Sequence, residues 1–215
     1  MTTKEKILKK SLELFNRDGL DGVTVRHIAA ALEMSHGNLC YHFPTIDAIV
    51  EGLYSQMAVE LDATTLSMRT IQRNPSQAFA KGESNILRTM YDLSLSNFEK
   101  LYEYRFIMLD FVSIMRRIPA IKAHYRQQMV MRQLQFQFLV TELVKKGLFK
   151  PPFVENQYST WIHSAILFGD FWLSSAEILY NGKEQDKVKT YHHFFISLTI
   201  PYLTEKGLEE MKELL

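Results

Sequence analysis

Cysteine is almost absent. The 215-residue chain has one, Cys40, so neither an internal disulfide nor a cysteine-rich zinc site can form. Glycine and proline are scarce, at 9 and 6 residues. They sit mostly at boundaries, which excludes collagen-like and low-complexity chains. An excess of one charge is missing too: 25 Lys and Arg stand against 24 Asp and Glu, a formal net charge of +1. A general cationic coat for nucleic acid is excluded, while a local basic face is not. No run of about 18 residues is free of polar breaks, so no membrane-spanning helix is expected. The most apolar window, 161–173, is short and holds His163 and Asp170. The opening Met-Thr-Thr-Lys-Glu-Lys lacks the apolar core and cleavage site of a signal peptide. A soluble cytoplasmic protein without membrane contact is expected.

Period-two alternation is rare, and apolar residues recur at three and four. Ile7, Leu8, Leu12 and Phe15 are spaced as one helix face. The chain therefore reads as all-α. Its punctuation predicts a first helix ending at Asp18-Gly19, a second over 25–32 capped by Thr24, and a third over 36–42 capped by Ser35. Further helices are expected over 46–69, 76–96, 98–115, 119–147, 156–180 and 185–204. The last carries a kink at Pro201 and is followed by a polar tail.

Thr24 to Phe43 is the informative stretch. Two short helices are joined by a tight link near Glu33-Met34. Ala29 and Ala30 are small at the crossing, and Leu32, Met34, Leu39 and Phe43 can share a core. This is the layout of a helix-turn-helix, whose second helix enters the DNA major groove. Backbone N–H groups near the Ser35 cap, with the helix dipole, favour a phosphate. His36, Asn38, Tyr41 and His42 can reach bases or phosphates, and Asn38 can pair with adenine through two hydrogen bonds. Gly37 permits close approach of the backbone to DNA. Arg26 can bond guanine or phosphate, and Lys4, Lys6, Lys9 and Lys10 add cations near the N-terminus.

The order Thr-Val-Arg-x-Ile-Ala, then Leu-x-Met-Ser-x-Gly-x-Leu-x-Tyr-His-Phe, resembles the TetR family of bacterial transcriptional repressors. The segment from Ile7 to Gly19 is similar to the first helix of that family, and the resemblance covers about residues 4 to 54. It implies a DNA-binding unit at 1–46 and a helical ligand-binding and dimerisation domain at 47–215. It also implies phosphate and base contacts from Thr24 and Arg26, base reading by His36, Gly37 and Asn38, and backbone contacts from Tyr41 and His42. Cys40 stands where the family usually has a tyrosine, and Ile46 where it usually has a lysine. Each change removes a phosphate contact, so DNA binding with a shallower salt dependence is expected.

The second half is rich in aromatic and methionine side chains, which line adaptable apolar pockets. With the resemblance, Phe106, Phe111, Met115, Tyr125, Met129, Trp161, Phe168 and Trp172 become candidates for a small-molecule cavity. Residues 100–146 carry an excess of cations, mostly as a solvated face. Arg116, Arg117, Arg126 or Arg132 could hold an acidic effector such as a fatty acid or its thioester. The helix over 156–180 is apolar on more than one side, which calls for burial on two sides. Trp161, Ala165, Phe168, Gly169, Trp172 and Ala176 on that helix, and Phe194, Phe195, Leu198 and Tyr202 on the next, are expected at a two-fold, four-helix dimer interface.

No Gly-rich phosphate loop, nucleophile elbow or catalytic spacing occurs, so an enzyme is not expected. His124, His163, His192 and His193 lack the i, i+4 spacing of a helical metal site, and neither a metal nor a cofactor is expected. The expected function is a homodimeric transcriptional regulator, a repressor released from a palindromic operator in double-stranded DNA by a small apolar or amphipathic effector. The competing readings are an interaction protein with a vestigial helix-turn-helix, and a metal or redox sensor on the same fold using Cys40 or His163.

Overall fold

In the computed structural model the backbone is described for residues 1–73 and 86–215, and side chains for 1–62 and 86–215. The first part of the helix expected over 76–96 lies outside the described residues. Helix α1, Thr3–Asp18, opens with a reciprocal cap. Thr2 Oγ1 accepts from the Glu5 N–H at 3.3 Å, and Glu5 Oε2 accepts from the Thr2 N–H at 2.7 Å. Ile7, Leu8, Ser11, Leu14 and Phe15 turn its buried face inward. The helix stops at Gly19, whose φ of 76° and ψ of 163° suit a residue without a β-carbon. Next come α2, Val25–Ala31, α3, His36–His42, and the long α4, Ile46–Arg73.

The break expected near residue 97 is absent, and residues 98–115 are shared among three helices. They are α5, Ile86–Glu103, α6, Arg105–Leu109, and α7, Phe111–Arg117. No glycine or proline breaks them; Asn16 of α1 engages both sides of the first break. Its Nδ2 donates to the Glu103 carbonyl at 2.7 Å, and its Oδ1 accepts from the Phe106 N–H at 3.1 Å. The second break falls at Asp110, whose carboxyl burial pushes towards its protonated form, opposed by a hydrogen bond from the Leu20 backbone. Helix α8, Pro119–Lys145, and α9, Gln157–Leu179, follow within a few residues of expectation. The segment expected as one kinked helix over 185–204 is α10, Lys187–Ser197, flanked by short 3-10 turns, one of which contains Pro201. The polar tail is a further helix, α11, Glu205–Lys212. Thr204 caps it by accepting from the Gly207 N–H, and Met211 is buried.

The chain divides into two compact units. The first is Met1–Glu60 with Glu103–Tyr125, so it takes in more than residues 1–46. Its core joins Ile7, Phe15, Ile28, Leu39, Ile49 and Leu53 to Phe106, Ile107 and Ile114. The Phe15 and Phe106 rings lie 4.9 Å apart. Burying side chains of this size stabilises by about 1.5–3 kcal/mol each. Gly52 lets α4 approach closely, since a β-carbon there would meet Leu8 Cδ2 at 2.9 Å and Phe43 Cε1 at 3.4 Å.

The second unit is Leu61–Tyr102 with Arg126–Leu215. Leu87, Met90, Leu143, Phe149, Trp161, Ile196 and Leu203 form the centre of one apolar cluster there. Trp161 Nε1 donates to the Leu198 carbonyl at 3.1 Å. Among the described residues, no helix is long and apolar enough to cross a membrane. Nor do three or more His, Cys, Asp or Glu side chains gather as a metal set among them.

Candidate nucleic-acid interface

The helix-turn-helix is built from two capped helices around a constrained turn. Thr24 Oγ1 accepts from the His27 N–H at 3.3 Å, and His27 Nδ1 accepts from the Thr24 N–H at 3.4 Å. At the far end of α2 the Met34 N–H bonds the Ala29 carbonyl and the Glu33 N–H bonds the Ala30 carbonyl. These two bonds form a Schellman closure, with Glu33 in the left-handed position at φ 52°. That position prefers glycine, yet the closure aims the chain at the Ser35 cap. Ser35 Oγ accepts from the Asn38 N–H at 3.1 Å and starts α3.

Helix α3 buries Leu39, and Phe43 after it, beside Ile28 of α2 in the core of the unit. Its opposite side is polar and open. His36, Gly37 and Asn38 are exposed, and Tyr41 is 84% exposed, an unusual degree for a ring of that size unless it meets a partner. A β-carbon on Gly37 would meet nothing within 4 Å, so nothing inside the fold requires glycine there. His42 is half-buried, its ring edge-on to Tyr41 with centroids 5.2 Å apart. Thr24, Arg26 and Ser35 are exposed on the same two-helix segment. All eight residues expected to touch DNA thus sit on α2, α3 or their caps. The hydroxyl oxygens of Thr24 and Ser35 accept capping bonds, which leaves each O–H free to donate. Cys40 is half-buried, with Sγ 3.5 Å from Nε2 of His36 one turn earlier. Ile46 is half-buried in the first turn of α4, where Thr45 Oγ1 accepts from the Ala48 N–H.

Two family profiles match the chain. One, for bacterial regulatory proteins of the tetR family, covers residues 7–53. The other, TetR, for bacterial transcriptional repressors, covers residues 73–211. The chain belongs to the TetR family. A probable HTH-type transcriptional regulator of Bacillus subtilis, YttP, is 25% identical over 173 residues, 74% of this chain and 80% of the relative. A TetR-family regulator from Marinobacter aquaeolei superposes with a TM-score of 0.83 at 25% identity, covering 100% of this chain and 97% of the other. The ketosteroid transcriptional regulator KstR2 of Mycobacterium tuberculosis shares the fold, with a TM-score of 0.60 at 17% identity and coverage of 95% and 96%. This TetR-family protein is accordingly a DNA-binding transcriptional regulator with an N-terminal helix-turn-helix.

The residues expected to line an effector cavity do not share one compact unit. Phe106, Phe111, Met115 and Tyr125 belong to the first, with the Phe111 and Tyr125 rings 4.9 Å apart. Met129, Trp161, Phe168 and Trp172 belong to the second. There Trp172 stacks on Phe98 at 5.0 Å, and Phe98 in turn meets Phe168 and Phe195. Among the described residues, Trp172 Nε1 is buried without a hydrogen-bond acceptor. Two of the arginines considered for an acidic effector are already paired. Arg132 Nη1 lies 3.0 Å from the buried Asp170 Oδ1, and Arg117 Nη2 lies 2.5 Å from Asp47 Oδ1.

The expected dimer face also differs from the outward face. Trp161, Ala165, Trp172 and Ala176 of α9 are buried within their own unit. Phe168, Gly169, Phe195, Leu198 and Tyr202 are half-buried, and Phe194 is half exposed. The stripe that α9 turns outward is Leu167, Phe171 and Ile178, which are 60%, 39% and 81% exposed. On a helix apolar on several sides, residue type does not distinguish the side packed at home from the side left open. The recurrence of 167, 171 and 178 at steps of four and seven residues was the available signal, as was the amide residue Asn16 in the last turn of α1.

Proposed function

We propose that the protein is an effector-responsive repressor that binds a palindromic operator as a homodimer. The observation that carries this reading is the division of α3: Leu39 is fully buried in the core, while His36, Asn38 and Tyr41 are exposed to solvent on the opposite side. Such a helix suits the major groove, with phosphate contacts fixing its register and base edges supplying sequence. Dimerisation through the outward stripe of α9 and Phe194 of α10 would set two such helices about one DNA turn apart.

The aromatic cluster around Phe98, Phe168 and Trp172, with an indole N–H lacking an acceptor, suits an apolar effector bearing an acceptor oxygen. The pairing of Arg132 with Asp170 argues against that arginine as the carboxylate anchor of an acidic one. An effector that favours one dimer shape by about 1–3 kcal/mol would lower operator affinity by about 5- to 150-fold.

The test is selection of bound duplexes from a random pool at moderate salt. An enriched inverted repeat is expected. A folded, dimeric sample that enriches no sequence, with or without candidate effectors, would sink the reading.

A further inference from the structure

Three polar ties trace residues 104–124 along α4 within the first unit. The Tyr104 hydroxyl donates to Glu60 at 2.9 Å, Arg117 pairs with Asp47, and the Tyr54 hydroxyl meets His124 Nδ1 at 3.1 Å. Glu60 and Asp47 are thirteen residues apart on one helix, or about 20 Å. Residues 104 to 117 therefore descend α4 to its first turn. The chain reverses at Ile118-Pro119, and α8 climbs back past Tyr54. The lowest point tied to α4 is Arg117 at Asp47, five residues after His42 of the reading helix. Five residues span at most about 17 Å.

The chemistry of that turn is one-sided. Ile114, Met115 and Ile118 are buried, and this pattern turns Arg116 and Arg117 outward. Lys122 is exposed on the first turn of α8. Among the described residues no ion pair engages Arg116 or Lys122, while Arg117 cancels the charge of Asp47. Pro119 restricts the backbone at the reversal, so little freedom remains to be lost on contact. Three cations are thus held on a turn tied to the first turn of α4, within a five-residue span of the DNA-reading helix, although their stretch of chain lies far from the helix-turn-helix in sequence.

We propose that this turn is a second DNA-backbone contact, with Arg116 and Lys122 bonding phosphates that flank each half-site and Arg117 shielding them from Asp47. It supplies cations next to a helix start where Ile46 offers none. Phosphates carry no sequence information, so the turn adds affinity and register but not base preference.

The experiment is the salt dependence of affinity, read by fluorescence anisotropy from 50 to 300 mM KCl. It uses the full-length dimer with both the selected operator duplex and a scrambled duplex of equal length. Arg116→Gln and Lys122→Gln each remove one contact per half-site, so on the two-half-site operator each is expected to reduce the slope of log K against log salt by about 1.8. Both duplexes should weaken by the same factor, with an unchanged melting temperature. Asp47→Asn is expected to tighten binding to both duplexes, since it removes a negative charge and releases Arg117. Unchanged slopes in the Arg116→Gln, Lys122→Gln double variant would overturn the proposal. So would a loss confined to the operator, which would indicate a disturbed α3 rather than a lost phosphate contact.

Discussion

His192 shows what a single buried side chain imposes on the second unit. Its ring is almost wholly enclosed, edge-on to Tyr91 at 4.7 Å and to Phe98 at 5.4 Å, and Nε2 lies 2.8 Å from Ser94 Oγ. Burial pushes its pKa down to about 4. The neighbouring His193 adds to this, and a hydrogen bond to the Tyr91 backbone opposes it. The folded protein therefore keeps this imidazole neutral, while the unfolded chain protonates it near pH 6.5. Between these values the unfolded state binds more protons, so stability rises with pH. The contribution is complete above about pH 6.5 and is lost progressively down to about pH 4, amounting to about 3 kcal/mol. Urea unfolding at pH 7.5, 6.0 and 5.0 should show this fall. In His192→Gln, which keeps a hydrogen bonding group but does not titrate, the fall over that window should shrink by most of this amount. An equal decline in both proteins would mean that other groups carry the acid sensitivity.

Elements whose boundaries are set by their own residues were legible in the sequence. Thr24 and Ser35 cap α2 and α3 as expected, and both helices begin where expected because an N-cap is a local device. Gly19 likewise ends α1. The breaks at Tyr104 and Asp110 were not legible, because nothing in residues 98–115 dictates them; at Tyr104 the freed backbone groups go to Asn16, almost ninety residues away. The helix at Glu205–Lys212 has a local cap in Thr204 but reads as a polar tail, since a short polar sequence shows its buried side only when its docking site is known. The break at Tyr104 is accordingly the element most dependent on one side chain. Asn16→Ala should cost about 1–3 kcal/mol by removing two hydrogen bonds and leaving the Phe106 N–H unpaired. The amides of Phe106 and Ile107 should lose hydrogen-exchange protection more than those of α2. Unchanged protection at Phe106 would show that packing of its ring on Phe15 suffices to hold the break.

At the scale of the whole molecule, the question is which surface a second copy covers. One helix-turn-helix module buries only about 600–1,000 Å² on DNA, and tight, selective binding comes from joining two half-sites. The second half-site then binds at an effective concentration fixed by the dimer, so its loss weakens affinity by about 10²–10⁴-fold. Leu167, Phe171, Ile178 and Leu179 on α9, with Phe194 on the next helix, are exposed apolar side chains on these two helices. Phe171 is 39% exposed, while its neighbour Trp172 is buried and stacked on Phe98. Phe171→Lys should leave helix content intact and convert the protein to a monomer by light scattering at micromolar concentration. It should also weaken the inverted-repeat operator at least 100-fold, with a far smaller effect on a single half-site. Trp172→Ala should instead lower the melting temperature through a core cavity, at a cost of about 3–5 kcal/mol. A Phe171→Lys protein that remains dimeric and binds its operator normally would place the interface elsewhere and leave the α9 stripe without a role in assembly.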